Sequence, residues 1–177
     1  SYNVMDGLIS AGLEKHLESP LFQENSKMSS TANDQLVNRF KKMADKDGGT
    51  LLGVLGGRSS EGADFPGDQM NTCIIVGIPY ARPTTRIQAQ IDYLEQEFER
   101  KGREYGYVIP AVRRAAQAAG RVIRSIEDRG LVLFLDSRFS YSYIRRLLPL
   151  WLRKNIDTIH YENGTITDLT KKFYSEN

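Results

Sequence analysis

The sequence predicts an α/β fold in which a mostly parallel sheet lies between helices. Three observations predict it. Strand-like and helix-like segments alternate along the chain, three strand candidates are continuous apolar runs, and turn residues bound each run. A strand that is apolar on both sides asks for cover on both faces, which the crossover helices of a parallel sheet supply.

Residues 3–17 predict an opening helix, with Met5, Leu8, Ile9, Leu13 and Leu17 as its apolar stripe and Pro20 beyond its end. A short strand is expected at 21–24. A second helix follows at 31–44, with Leu36, Val37, Phe40 and Met43 inward, and Gly48 and Gly49 end it. Residues 50–55 and 73–78 are apolar strands. Ile87, Ile91, Leu94 and Phe98 follow helical spacing over 85–101. Pro110 stands where the next helix would start. Residues 131–135 form the third apolar strand. A late helix at 141–155 carries Ile144, Leu147, Leu148, Trp151 and Leu152, and Pro149 kinks or splits it. The segment from Asp157 is polar, with a last short helix around 169–174. No internal repeat or second domain boundary is visible, so the expected organisation is one domain over 1–156 and a polar tail over 157–177. Ligands of such sheets gather at the carboxyl ends of strands, which points to the segments after Leu55, Ile78 and Leu135.

Composition narrows the function. The 177 residues carry a net charge of +2, with 40% hydrophobic and 26% charged residues, as in a soluble globular protein. That balance excludes a grossly basic nucleic-acid binder while leaving room for a local basic stripe. Arginines do crowd the second half of the chain. The single cysteine, Cys73, sits in an apolar run and reads as a core residue. His16 and His160 stand far apart without partners at ligand spacing, so no zinc site or Ser-His-Asp triad is expected. No run approaches the roughly 20 apolar residues of a membrane span. No signal peptide is visible, and a cytoplasmic location without membrane attachment is expected.

Residues 117–124 read QAAGRVIR. In a helix, Gln117, Arg121 and Arg124 share one face. Guanidinium forks suit bidentate recognition of phosphate oxygens, and an arginine that neutralises transition-state charge accelerates phosphoryl transfer. The competing reading is a solvated helix face with two arginines. Gly120 favours a site, because glycine inside a helix costs about 1 kcal/mol and is tolerated mainly where a backbone or ligand comes close.

Residues 56–67, GGRSSEGADFPG, leave the strand at 50–55. Glycines and hydroxyls beside an arginine suit a phosphate backbone. Asp64 suits a ribose hydroxyl or an arginine across a cleft. The competing reading is an ordinary loop with an N-cap serine. No G-x-x-x-x-G-K-[ST] loop occurs anywhere in the chain. The chain thus offers arginines for a γ-phosphate and no cradle for a triphosphate, as expected of one half of a two-part motor.

Several residues carry two readings. Trp151 fits the apolar stripe of its helix and would also serve as a base-stacking platform. Tyr141 and Tyr143, with Arg145 and Arg146, form an aromatic and basic cluster that suits single-stranded nucleic acid or a solvated helix face. Arg113 and Arg114 read as solubilising, with a route to the phosphates as the second reading.

Taken together, the motifs resemble those of the second motor domain of XPD-type DNA helicases, iron–sulfur enzymes of superfamily two, with the archaeal form most similar in style. Ser1 and Tyr2, followed by Asn3-Val4-Met5, resemble helicase motif IV, GGRSSEGADFPG resembles motif V and QAAGRVIR resembles motif VI. VGIPYARP at 76–83 is similar to the family's GxPY segment, and LDSRF at 135–139 to its DxRF segment. The resemblance spans about residues 1–155 and implies a RecA-like, three-layer αβα fold. It implies an enzyme that hydrolyses ATP with magnesium between two motor domains and moves 5′ to 3′ on single-stranded DNA, in nucleotide excision repair or related DNA processing.

The resemblance assigns Gln117, Arg121 and Arg124 to catalysis and Gly62, Asp64 and Gly120 to the nucleotide. It assigns Arg58, Ser59, Ser60, Tyr2, Arg82 and Arg138 to DNA. The Walker motifs of a first motor domain and the four cluster cysteines do not occur in the sequence, and the resemblance implies a strand before motif IV with which the chain does not begin. The chain is therefore expected to be a fragment that cannot hydrolyse ATP alone. Its expected partners are single-stranded DNA, the missing motor domain and a regulatory protein of a repair complex, and a eukaryotic form would be nuclear. The alternative is a non-catalytic module that binds single-stranded DNA or docks a protein. An unrelated nucleotide binder would need a phosphate loop after its first strand, which the sequence lacks.

Overall fold

The computed structural model describes residues 1–56, 63–123 and 128–176. Its strands are β1 (Leu21–Gln23), β2 (Thr50–Leu52), β3 (Thr72–Val76) and β4 (Leu131–Leu135). Its α-helices are α1 (Tyr2–Ser10), α2 (Ser30–Lys41), α3 (Thr85–Glu97), α4 (Ile109–Ala119), α5 (Ser142–Leu147), α6 (Leu150–Asn155) and α7 (Thr165–Ser175). The expected α/β class with parallel strands is present. β1 pairs with β2 from Leu21 opposite Thr50, and β3 pairs with β4 from Thr72 opposite Leu131.

Two apolar clusters hold the chain together. Beside β1 and β2, Phe22, Val37, Phe40 and Phe65 pack, with Phe40 edge-on to both Phe22 and Phe65. Beside β3, Cys73 and Ile75 meet the small-residue face of α4, where Ala111, Val112, Ala115 and Ala119 are fully buried. Alanines let helix and strand approach closely and leave no polar atom to satisfy. Met70 packs against both clusters and joins them.

The cover over β3 and β4 is one-sided among the described residues, contrary to the sequence reading. Cys73 and Ile75 face α4, whereas Ile74 is 55% exposed and Val76 and Leu135 are also open. Side chains alternate across a strand, so an unbroken apolar run populates both faces whether or not both are covered.

Helix boundaries shift for local reasons. The opening helix stops at Ser10, because Gly12 adopts φ +90° and turns the chain into a short 3-10 segment, Leu13–His16. Only Met5 of the predicted stripe is buried. Pro149 splits the late helix into α5 and α6. Helical winding before α4 begins ahead of Pro110, with a π turn over Glu104–Val108. Among the described residues, no helix is long and apolar enough to cross a membrane.

α7 is longer than the predicted last helix and folds back on the amino ends of β3 and β4. The Tyr174 hydroxyl donates to the Asn71 carbonyl at 2.8 Å and lies 2.6 Å from Thr72 Oγ1. Arg129 donates to the Phe173 carbonyl and lies over the Phe173 ring.

Candidate nucleotide and nucleic-acid interface

Arg121 is held by a backbone carbonyl from another segment. α4 ends at Ala119, Gly120 caps it in a right-handed conformation, and the chain closes in tighter turns through Arg121 and Val122. From there Arg121 Nη1 donates to the Ala63 carbonyl at 2.9 Å. Ala63 packs against the first cluster two residues before the buried Phe65, which fixes that carbonyl in place. One Arg121 nitrogen thus ties the end of α4 to the segment that returns to β3.

The expected single helical face is therefore shortened. Gln117 is exposed on the last turn of α4, and Arg121 lies beyond the helix. Arg124 lies outside the described residues, as do Arg58, Ser59, Ser60 and Gly62. A Cβ on Gly120 would meet Ala116 O at 3.4 Å and the Trp151 ring at 3.7 Å, ordinary contact distances. Trp151 from α6 is the close neighbour there. It is 38% exposed, so it rests against α4 on one side and faces solvent on the other.

α4 carries Arg121 to the amino end of β3, away from the carboxyl ends of the strands. From the middle of α4, Arg114 donates through Nε and Nη2 to the Pro79 carbonyl, beyond the carboxyl end of β3. Arg114 is thus a clamp, not a solubilising charge, while Arg113 is exposed. Just past the end of α4, Arg121 acts electrostatically on Cys73, the second residue of β3. Burial pushes the Cys73 thiol up to about 11, and the Arg121 charge opposes that rise only in part. α4 runs antiparallel to β3, and that direction separates the two arginines.

The carboxyl ends of the strands hold a different set of residues. At β1 and β2, Glu24 is 1% exposed. It accepts from the Tyr2 hydroxyl at 2.6 Å and from the Val54 amide at 3.2 Å. The predicted DNA-side Tyr2 is thus tied by its hydroxyl to a buried carboxylate.

At β3 and β4, Asp136 accepts from the Ile78 amide at 3.2 Å and from the Arg138 amide at 2.9 Å. The Arg138 side chain adds Nε and Nη2 donors, the latter at 2.6 Å. The Arg138 hydrogen bond holds the Asp136 carboxyl below the ordinary carboxylate range. Arg138 lies 5.5 Å from the centre of the Tyr80 ring, and Tyr80 stacks on Tyr107 at 4.9 Å. Tyr107 donates to the Ala81 carbonyl, and Arg82 is exposed beside it. Asp64 is exposed next to Ala63. In the aromatic and basic cluster, Arg146 lies over Tyr143 and 3.8 Å from Glu104, while Arg145 donates to the Ile156 carbonyl.

The predicted residues therefore fall into separate groups. Gln117, Gly120, Arg121 and Asp64 gather around the end of α4 and Ala63, whereas Arg82 and Arg138 belong to the carboxyl-end surface of β3 and β4, and Tyr2 lies at the carboxyl ends of β1 and β2. Residues 1–155 match the helicase C-terminal domain family. The chain belongs to that family. This helicase C-terminal domain is 30% identical over 186 residues to the general transcription and DNA repair factor IIH helicase subunit XPD of Dictyostelium discoideum, covering 99% of the chain and 24% of that protein. It is 33% identical to the ATP-dependent DNA helicase chl1 of Schizosaccharomyces pombe, over 78% of the chain and 17% of that protein. It is 31% identical to the regulator of telomere elongation helicase 1 of Mus musculus, over 98% and 16%. Its fold is similar to a solved structure of apo XPD, with a TM-score of 0.62, 25% identity, and 83% of this chain and 29% of that one covered. The helicase C-terminal domain thus spans about a quarter or less of the length of these curated relatives. α7 follows the matched residues.

Sequence reasoning missed Glu24, the Ala63 carbonyl, Tyr107 and Phe65. A carboxylate after a short strand reads as a polar strand end, and a carbonyl acceptor carries no sequence signal. Phe65 had one available signal, a lone aromatic within a polar loop.

Proposed function

We propose that this domain is the second motor domain of an ATP-dependent DNA helicase of the XPD type. In the longer protein, ATP occupies the cleft against the first motor domain, and this chain supplies arginine charge to the triphosphate while gripping single-stranded DNA. Polarity is 5′ to 3′, and the setting is nucleotide excision repair or related DNA processing. The observation that carries the reading is the Arg121–Ala63 hydrogen bond, which couples the QAAGRVIR segment to GGRSSEGADFPG itself. An arginine held by a neutral carbonyl keeps its full positive charge and its other donors for phosphate oxygens. Gln117, one turn back on α4, and Arg124 join it at the nucleotide, with Gly62, Asp64 and Gly120 lining the approach.

The separation of residues supports a division of labour. Arg58, Ser59 and Ser60 take the DNA backbone with Tyr2, Arg82 and Arg138 from the carboxyl ends of the strands. Magnesium enters with ATP and supplies charge neutralisation at the phosphates. Its protein ligands are assigned to the first motor domain, where the resemblance places the triphosphate cradle. The iron–sulfur cluster is assigned there too, since Cys73 is buried alone. A regulatory protein of a repair complex is the further partner, and a nuclear location follows in a eukaryote.

The test compares the full-length protein with its Arg121→Ala variant in single-stranded-DNA-stimulated ATP hydrolysis. Arginines of this kind contribute about 10³-fold or more to turnover, so a fall of that order with DNA binding retained is expected. Unaltered turnover would overturn the assignment. The isolated domain is expected to show no ATP hydrolysis, and measurable turnover there would overturn the two-part reading.

A further inference from the structure

Beyond the predicted residues, the carboxyl-end surface carries a four-membered stack. Arg138 lies 5.5 Å from the Tyr80 ring centre, Tyr80 and Tyr107 stack at 4.9 Å with planes 10° apart, and Arg103 lies 5.5 Å from the Tyr107 ring centre. The four residues come from three separate places: the turn after β3, the segment before α4, and the turn after β4. Both terminal arginines are exposed and both tyrosines are partly buried. Tyr107 is fixed by its hydroxyl bond to the Ala81 carbonyl. Arg138 is fixed by Asp136 through Nε and Nη2. Among the described residues, the Arg103 side chain has the Tyr107 ring as its contact and makes no hydrogen bond or ion pair.

We propose that this stack is a nucleic-acid backbone site in which Arg103 is a second phosphate contact beside Arg138. The proposal rests on the single-stranded-DNA reading above. A guanidinium held over a ring face gives none of its N–H donors to that contact, so they stay available for phosphate oxygens. The two rings cover one face of each other, and each ring has an arginine 5.5 Å from its centre, so the exposed groups of the stack are guanidinium donors suited to the sugar-phosphate chain. The stack also restricts Arg103, a long side chain that would otherwise lose considerable freedom on binding.

The experiment measures anisotropy of labelled oligothymidylate bound to the full-length protein across a series of salt concentrations. Arg103→Gln and Tyr107→Leu are compared with Lys42→Gln, which removes one exposed charge just past the end of α2. Arg103→Gln is expected to weaken binding about fivefold and to reduce the salt slope by about one, the signature of one lost phosphate contact. Tyr107→Leu is expected to do the same with Arg103 still present, and Lys42→Gln to leave the slope unchanged. If Tyr107→Leu fails to fold, Arg103→Gln, a change at an exposed side chain, decides alone. Wild-type affinity and slope in Arg103→Gln would overturn the site. An equal loss in Lys42→Gln would overturn it in favour of net charge. Loss of a labelled polyglutamate peptide with DNA binding intact would overturn it in favour of an acidic protein partner. No salt-dependent DNA binding by the unaltered protein would sink both this site and the helicase reading, whereas the Arg103→Gln result beside a binding wild type sinks this site alone.

Discussion

Gly102 lies so close to α3 that a Cβ on it would sit 2.3 Å from the Ile91 carbonyl oxygen and 2.6 Å from the Glu95 amide nitrogen. Its own amide donates to Glu95 Oε2 at 2.7 Å. The contact closes the turn that returns the chain from α3 towards α4. Gly102→Ala would force backbone against backbone, which side-chain rearrangement does not relieve. Expected is a loss of about 2 kcal/mol or more, as for overpacking, measured by urea unfolding. An unchanged midpoint would refute the contact.

Gly120→Ala is expected to behave oppositely. Gly120 has ordinary right-handed helical geometry, and an added methyl group would meet its neighbours at normal contact distances. Stability should stay within about 0.5 kcal/mol of wild type or rise, since alanine constrains the unfolded chain more than glycine does. A large loss of melting temperature would show that the site needs a bare backbone.

Asp136 joins the Ile78 amide to Arg138, and its carboxyl is held below the ordinary range. Its folded value lies below the unfolded value of about 3.9. The contribution is therefore complete above about pH 4 and is lost as pH falls through the depressed value. Asp136→Asn should be less stable than wild type at pH 7, with the difference closing below pH 4 in thermal melts. A constant difference across that window would contradict the linkage.

Tyr2→Phe removes a donor from the buried Glu24 carboxylate. Depriving a buried charged acceptor of a partner costs about 1–3 kcal/mol. Chemical denaturation of the variant should show a loss in that range. Full wild-type stability would mean that the hydroxyl bond adds nothing.

Cys73 should be inert in the folded protein. Its thiol is buried and pushed up to about 11. Labelling by a thiol-specific disulfide reagent at pH 8 should be on the order of 100-fold slower than in urea, because the thiolate is the reacting species. Comparable rates would place the thiol at the surface.

The sequence carried the fold class because apolar runs and helical spacing survive in any environment. Leu131–Leu135 was readable to the residue, and Pro149 was recognised as a break. What it carried poorly depended on partners. An apolar run such as 73–78 shows that both sides are oily, not that both are covered, hence the open Ile74 and Val76. QAAGRVIR could not reveal which end of β3 Arg121 would reach, because helix direction relative to β3 is a property of packing. Glu24 and Arg103 escaped notice because a buried carboxylate and a stacked guanidinium are defined by neighbours about 22 and 4 residues away, Tyr2 and Tyr107.

α4 is gripped at its middle, by Arg114 on the Pro79 carbonyl, and just past its end, by Arg121 on the Ala63 carbonyl. It therefore acts as a connecting rod. A helix interior is stiff, and adding or deleting one residue between the two grips would rotate one by about 100° relative to the other, so both cannot close. Any displacement that a ligand imposes at one end must reach the other as movement of the whole rod, carrying the alanine-lined face across β3.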